Sequence, residues 1–165
     1  MATLPLCANS PRPPTKPTPG AAAALAFQQI VTLPKPTFAI PPGSSVAGTR
    51  AFMVINGPMR MDPAPINALG YTVTLHVSST YDIDWGDTTD TRFSKGVASQ
   101  GGRGYPDGDV FHVYESKGNF PVTVTQRWTA TYEIAGSQAG TIADALVTSS
   151  TMQLPVNAYQ AVVTG

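Results

Sequence analysis

Six of the ten acidic residues fall in one stretch: Asp82, Asp84, Asp87, Asp90, Asp107 and Asp109. Hard cations such as calcium take about six to eight oxygen ligands, which loops at one end of a sheet can gather; Asp84, Asp87 and Asp90 are the calcium candidates. Their spacing matches no EF-hand loop. On a strand Asp82 and Asp84 share one face, where solvent and turn amides serve the carboxylates equally well. The two histidines, His76 and His112, supply the only imidazoles, and a hydrolase could draw on paired carboxylates or on His112 beside a serine or aspartate. No Gly-x-Ser-x-Gly elbow, His-Glu-x-x-His pair, phosphate loop or dinucleotide fingerprint accompanies it, so no catalytic residues are assigned and no enzyme is expected. Apart from candidate calcium, no cofactor is expected. Cys7 is the single cysteine, which excludes an intramolecular disulfide and a cysteine-based metal site.

Contact chemistry is the other possibility. Trp85, Trp128, Tyr105 and Tyr132 can build a surface for protein or carbohydrate if exposed. Trp85 and Trp128 lie within strand-like runs flanked by apolar residues and read as core anchors. Tyr105, with Asp107 and Asp109 in the same Gly-rich segment, is the better contact candidate.

The chain that must position these residues has 165 of them, one domain and a tail. Ten basic residues balance ten acidic ones, and 12% of the chain is charged where about 25% is usual, so a nucleic-acid partner is not expected. The longest purely apolar run, Ala21 to Phe27, is far short of the roughly 20 residues that span a bilayer. Fifteen Gly and 16 Pro interrupt any long helix, and an abundance of Thr and Val favours strands, giving an all-β expectation.

Residues 1–20 hold six prolines and read as a disordered tether; residues 1–6 lack the basic start and apolar stretch of a signal peptide. Residues 21–33 read as a short helix ended by Pro34 and Pro36, with Leu25, Gln28 and Gln29 at one-turn intervals. Residues 37–163 read as a β-domain. Tyr71 to Val77 alternates strictly, and Tyr81, Ile83 and Trp85 continue the alternation against Asp82 and Asp84 until Gly86-Asp87 turns the chain. Pro58 to Gly70 and Lys95 to Asp109 are expected as loops, the second long and exposed, and Thr89 to Phe93 as a hairpin arm. Phe120 to Ile134 is the longest strand run, with a phase reset expected near Gln126 and Trp128; Leu146 to Val163 closes the sheet, with an interruption at Pro155. Seven or so short strands at this spacing predict a β-sandwich.

Three pieces, Tyr81-Asp82-Ile83-Asp84-Trp85-Gly86-Asp87, His112-Val113-Tyr114 and Gly118-Asn119-Phe120-Pro121-Val122-Thr123-Val124-Thr125, together resemble the PKD (polycystic kidney disease) domain in order and spacing. Thr88 stands where that family usually has a second Gly, Phe120 where it has Tyr, and Lys117 where Pro is common. The resemblance covers residues 81–125 and implies an immunoglobulin-like β-sandwich in which Ile83, Trp85, Gly86, Asp87, His112, Tyr114, Gly118, Phe120, Val122 and Val124 are structural. More loosely, the Pro-rich tail, Ala-rich helix, Trp128-Thr129-Ala130-Thr131-Tyr132 and Ala158-Tyr159-Gln160-Ala161-Val162-Val163 resemble secreted PKD-containing proteins of actinobacteria.

What the resemblance implies is a non-catalytic extracellular or cell-surface binding or spacer module acting through contacts with other proteins or with itself. Two alternatives keep the fold: a structural subunit of a repeating surface or virion assembly, and a calcium-dependent or glycan-binding module. Extracellular location follows from the resemblance alone.

Overall fold

The computed structural model describes residues 15–30, 33–87, 95–98, 101–135 and 138–159. One helix, α1 (Pro19–Gln28), precedes β1 (Thr37–Ala39), β2 (Ser45–Val46), β3 (Arg50–Phe52), β4 (Val54–Asn56), β5 (Arg60–Met61), β6 (Ile66–Ala68) and the long β7 (Tyr71–Asp84). Then come β8 (Lys95–Ala98), β9 (Phe111–Val113), β10 (Gly118–Ile134) and β11 (Gln138–Asn157). The fold is all-β.

β10 lies between β7 and β11, antiparallel to both, and these three strands form the spine of the molecule. The length of β7 and β10 follows from the sequence: period-2 burial runs unbroken from Val73 to Ile83 and from Val122 to Ile134, so one face of each strand is turned inward throughout and is apolar except at Ser79 and Gln126. Short strands line the outer edge of β7, with β6 at Tyr71 to Val73, β5 at Val77 to Ser78 and β8 at Tyr81 to Asp84. The outer edge of β11 meets only β2, parallel, at Val156 and Asn157 among the described residues.

The buried face is covered by two different layers. Over one half, Ala22, Ala23, Ala26 and Phe27 of α1 pack on Val73, Leu75, Val77, Trp128, Ala130 and Ile142. Small side chains let the helix approach closely, and fully burying Trp128 or Phe27 contributes about 1.5–3 kcal/mol each. Over the other half, the pairs β1–β4 and β3–β9 bring Ile40, Ala51, Met53, Ile55 and Tyr114 onto Tyr81, Ile83, Val122, Val124 and Leu154. Gln126 marks the division. Wholly buried, its Nε2 donates to Ser79 Oγ (2.8 Å) and to the Pro58 carbonyl (3.0 Å), where the chain crosses from one covering layer to the edge of β7.

Several boundaries differ from the sequence reading. The helix begins at Pro19, not residue 21, because Thr18 Oγ1 accepts the Ala21 amide hydrogen as N-cap and proline is accommodated at the first helical position. It ends at Gln28, and its buried residues are Ala22, Ala23, Ala26 and Phe27, with Leu25 partly buried beside them. Thr15 to Thr18, read as tether, are placed, with the Tyr71 hydroxyl donating to the Pro17 carbonyl (3.1 Å). The segments expected as loops contain β5, β6 and β8, which are too short to show alternation but complete the edge of β7. The burial phase of β10 is not reset at Gln126; the irregularity is on β11, where the register passes from Trp128↔Leu146 to Ala130↔Ile142. Pro155 does not interrupt β11, since it pairs opposite Asn119 near the strand's end. Thr89 to Phe93, the expected hairpin arm, lies outside the described residues.

Candidate functional site

The residues of the three-piece pattern meet at one corner. Alternation along β7 turns Ile83 and then Trp85 inward, and Gly86 bends the chain with φ +75°, a conformation that a Cβ opposes. A Cβ there would also stand 2.6 Å from the Pro121 carbonyl oxygen, so the turn sits directly against the start of β10. The Gly86 amide donates to Asp84 Oδ1 at 2.9 Å, which closes the turn.

Beneath it lies an aromatic column. The Trp85 ring stacks on His112 (5.3 Å, 17°), His112 meets Tyr114 edge-on (4.6 Å, 84°), and Tyr114 stacks on Phe120 (4.6 Å, 27°). His112 and Tyr114 share a face because they are two apart on an extended chain. Tyr114 donates its hydroxyl to the Trp85 carbonyl, and His112 Nε2 lies 3.6 Å from Asp87 Oδ2, both groups being largely buried. Burial pushes the Tyr114 phenol well above its ordinary range, and the negative charges of Asp87 and Asp84 push it further, so it stays a hydrogen-bond donor. Val122 and Val124 floor the column, and Gly118 has the Phe120 ring 3.0 Å from where a Cβ would be. Chemically the arrangement holds a corner: its polar groups face one another.

The contact loop has a different character. Gly101 and Gly102 are tucked against the Ile55 and Met53 carbonyls, so residues 101–110 are laid down on β3 and β4 instead of standing free. Asp109 Oδ1 accepts the Arg103 amide hydrogen at 2.9 Å, while Asp107 is exposed. Tyr105 is 83% exposed, yet its ring rests edge-on against Phe52 at 6.0 Å. Phe52 in turn meets Phe111 at 5.8 Å, and the Arg50 guanidinium lies 4.5 Å above the Phe111 ring. A Cβ at Gly108 would collide with the Phe52 ring, so that glycine is required for the ring to lie under the loop. Tyr105 and Phe52, together with Arg50, Pro41, Pro42 and Val46, border an open groove of about 520 Å³.

The acidic residues do not converge. Asp82 pairs with Arg127 on the outer face of the sheet (3.0 Å), and Asp84 and Asp87 belong to the corner; Asp90 lies outside the described residues. Among the described residues no three His, Cys, Asp or Glu side chains are gathered in a way that could hold a metal ion. No helix there is long and apolar enough to cross a membrane.

Trp85 and Trp128 are buried anchors and Tyr132 is buried on the helix-covered half.

Comparison with protein-family models, with curated proteins and with solved structures finds no match to this chain.

Two features escape sequence reasoning. Phe52 meets Phe111 because β3 pairs with β9 from 59 residues away, and meets Tyr105 on the segment that leads into β9. On the outer face, Asp62 reaches His76, its Oδ1 2.8 Å from Nδ1, over a cavity of about 440 Å³ bordered by Arg60, Ser78, Thr129 and Thr131. That juxtaposition depends on β5 pairing with β7, in a stretch whose composition reads as loop. A carboxylate on Nδ1 is how a general-base histidine is oriented. Here, however, Nε2 looks toward Glu133 (4.0 Å), and the nearby hydroxyls of Ser78 and Thr129 face each other (3.5 Å).

Proposed function

We propose that the chain is a PKD-type, immunoglobulin-like module at the cell surface or outside the cell that works without catalysis, by protein contacts. The observation that carries this reading is the groove beside Tyr105. A large aromatic that is 83% exposed, held in place by Phe52 and sharing its groove with Arg50, is the composition of a protein-contact centre and not of a solvated loop. The corner supports it from the other side: Trp85, Gly86, Asp87, His112 and Tyr114 hold elements together, as the resemblance implies. The outer edge of β11, paired among the described residues only with β2, favours a second reading, a subunit of a repeating assembly, since unpaired strand edges are templates for a neighbouring chain.

A photo-crosslinking residue, benzoylphenylalanine, placed in cells at position 105 and separately at position 80 on the outer face, tests the contact reading. Protein adducts concentrated at 105 are expected. Absence of protein adducts at 105, or equal yields at both positions, overturns it.

A further inference from the structure

We propose that the groove beside Tyr105 takes a proline-rich segment, and that the segment is Pro11-Arg12-Pro13-Pro14 of a second copy of this chain. The inference rests on the contact reading above and names its partner.

The groove has the features that polyproline recognition uses. Such a ligand is a left-handed helix of three residues per turn with a fully solvated backbone, and it is captured by aromatic faces that pack against its pyrrolidine rings. Here the exposed Tyr105 and the buried Phe52, their rings 6.0 Å apart, line the groove together with Pro41, Pro42 and Val46. The lining is mostly apolar. Arg50 is held over Phe111, at the groove's margin.

The chain supplies a matching ligand. Three of the four residues Pro11-Arg12-Pro13-Pro14 are prolines, whose ring holds φ at about −65°, and in a docked polyproline helix Pro11 and Pro14 would share an edge about 9 Å apart. A segment so restricted loses little conformational entropy on docking. Arg12 and Lys16 are cationic and Arg50 lines the groove, so the exposed Asp107, two residues from Tyr105, is the nearby acidic side chain for them and the prolines carry the fit. With a net charge of zero, copies of the chain do not repel one another at long range.

Reach decides between the chain's own tail and a neighbour's. Pro17 is anchored by the Tyr71 hydroxyl at the start of β7. The groove is at the other end of the sheet, because its residue Ser45 pairs with Val156, which lies opposite Gly118. From Tyr71 to Asp84 there are thirteen strand steps, and from Thr123, opposite Asp84, to Gly118 five more, roughly 60 Å of extended strand. Pro11 to Pro14 lie within six residues of Pro17, about 20 Å of fully extended chain. Even a sheet curled to half its contour keeps the groove out of reach in one molecule. The contact is therefore head to tail: each copy offers its groove to one neighbour and its tail to another, an interface that propagates instead of closing.

Complementation between two variants of the full chain tests this. The tail variant carries Pro11→Ala, Pro13→Ala and Pro14→Ala; the groove variant carries Tyr105→Ala, at an exposed position where truncation leaves the core untouched. Sedimentation over rising concentration is expected to carry the wild type beyond a dimer while each variant alone stays a monomer. An equimolar mixture, one intact groove and one intact tail, is expected to form a 1:1 pair that grows no further. A synthetic peptide of residues 8–16 is expected to bind the tail variant and to bind a double variant lacking Tyr105 about tenfold more weakly or worse. A wild type that stays monomeric and a tail variant that ignores the peptide overturn the proposal, as does unchanged self-association in either variant. If those failures coincide with crosslinks from position 105 to a different protein, the contact reading stands and only the proline-rich partner falls. Binding of an oligosaccharide that Tyr105→Ala abolishes, with no protein adduct at 105, overturns both.

Discussion

Tyr114 donates its hydroxyl hydrogen to the carbonyl oxygen of Trp85 at 2.9 Å, from a ring with no solvent exposure. The bond joins the end of β7 to the residue after β9, 29 positions later. It fixes the spacing at which His112 fits between the two rings.

Tyr114→Phe keeps the ring and removes that bond. At neutral pH the cost is about 1 kcal/mol, the net value of a typical hydrogen bond, and more if the Trp85 carbonyl finds no water. The pH dependence gives a second readout. Tyr114 has its folded-state pKa raised, by burial first and by Asp87 and Asp84 after it, and Tyr81 is raised by burial. Above about pH 10 the unfolded chain releases these protons while the folded chain retains them, so wild-type stability is full below that pH and falls as pH rises further. Thermal melts from pH 7 to 11 should show Tyr114→Phe less stable at pH 7 but with a shallower alkaline decline. A parallel decline in both proteins would contradict the assignment.

Gly86→Ala and Gly86→Asn separate two reasons for one glycine. The positive φ disfavours alanine, whereas asparagine tolerates it; the contact with Pro121 rejects both. Because a Cβ would lie 2.6 Å from a backbone oxygen, both variants should lose at least about 2 kcal/mol by chemical denaturation. Recovery in the asparagine variant would place the requirement in φ alone.

The corner and the spine were legible in the sequence because each leaves a local trace. From Val73 to Ile83 burial alternates on every residue, and apolar and polar types follow it except at Ser79. His112 and Tyr114, two apart on an extended chain, fall on one side by spacing alone. What was not legible has no such trace. Lys95 to Ala98 pairs with Tyr81 to Asp84 through its backbone, which a four-residue segment containing glycine does not advertise. Gln126 points into the core, so a polar residue at an inward position reads as a break in phase where the strand in fact continues. The replacement of a β layer by a helix over half the sheet depends on Ala22, Ala23 and Ala26 packing against Trp128 and its neighbours, a long-range fit that strand spacing does not encode.

Gln126→Leu tests whether the junction between the two covering layers is held by the buried amide. Leucine fills a similar volume but leaves the Pro58 carbonyl, and the Tyr81 hydroxyl 3.4 Å from Nε2, without that donor inside the core. The expected loss is about 1–3 kcal/mol. Hydrogen exchange should localise it: the Ser79 amide, which donates to the Met59 carbonyl beside the junction, should lose protection before amides of the α1 end. Uniform loss along β7 would point to general destabilisation and not to the junction.

Calcium should leave the melting temperature unchanged. Binding only to the folded chain at a hundred times Kd would contribute about 2.7 kcal/mol, enough to raise the transition by several degrees. Two of the three carboxylates that the sequence offers are engaged in the corner: Asp84 accepts the Gly86 amide, and Asp87 lies against His112. Withdrawing Asp84 toward a cation would open the turn that Gly86 makes against Pro121, so any gain at the metal would be offset by loss at the corner. Melts in millimolar calcium and in chelator should therefore coincide. If calcium does raise the transition, and Asp84→Asn abolishes the rise while keeping the fold, the carboxylates have a role beyond the turn and the architectural account of Asp84 and Asp87 fails.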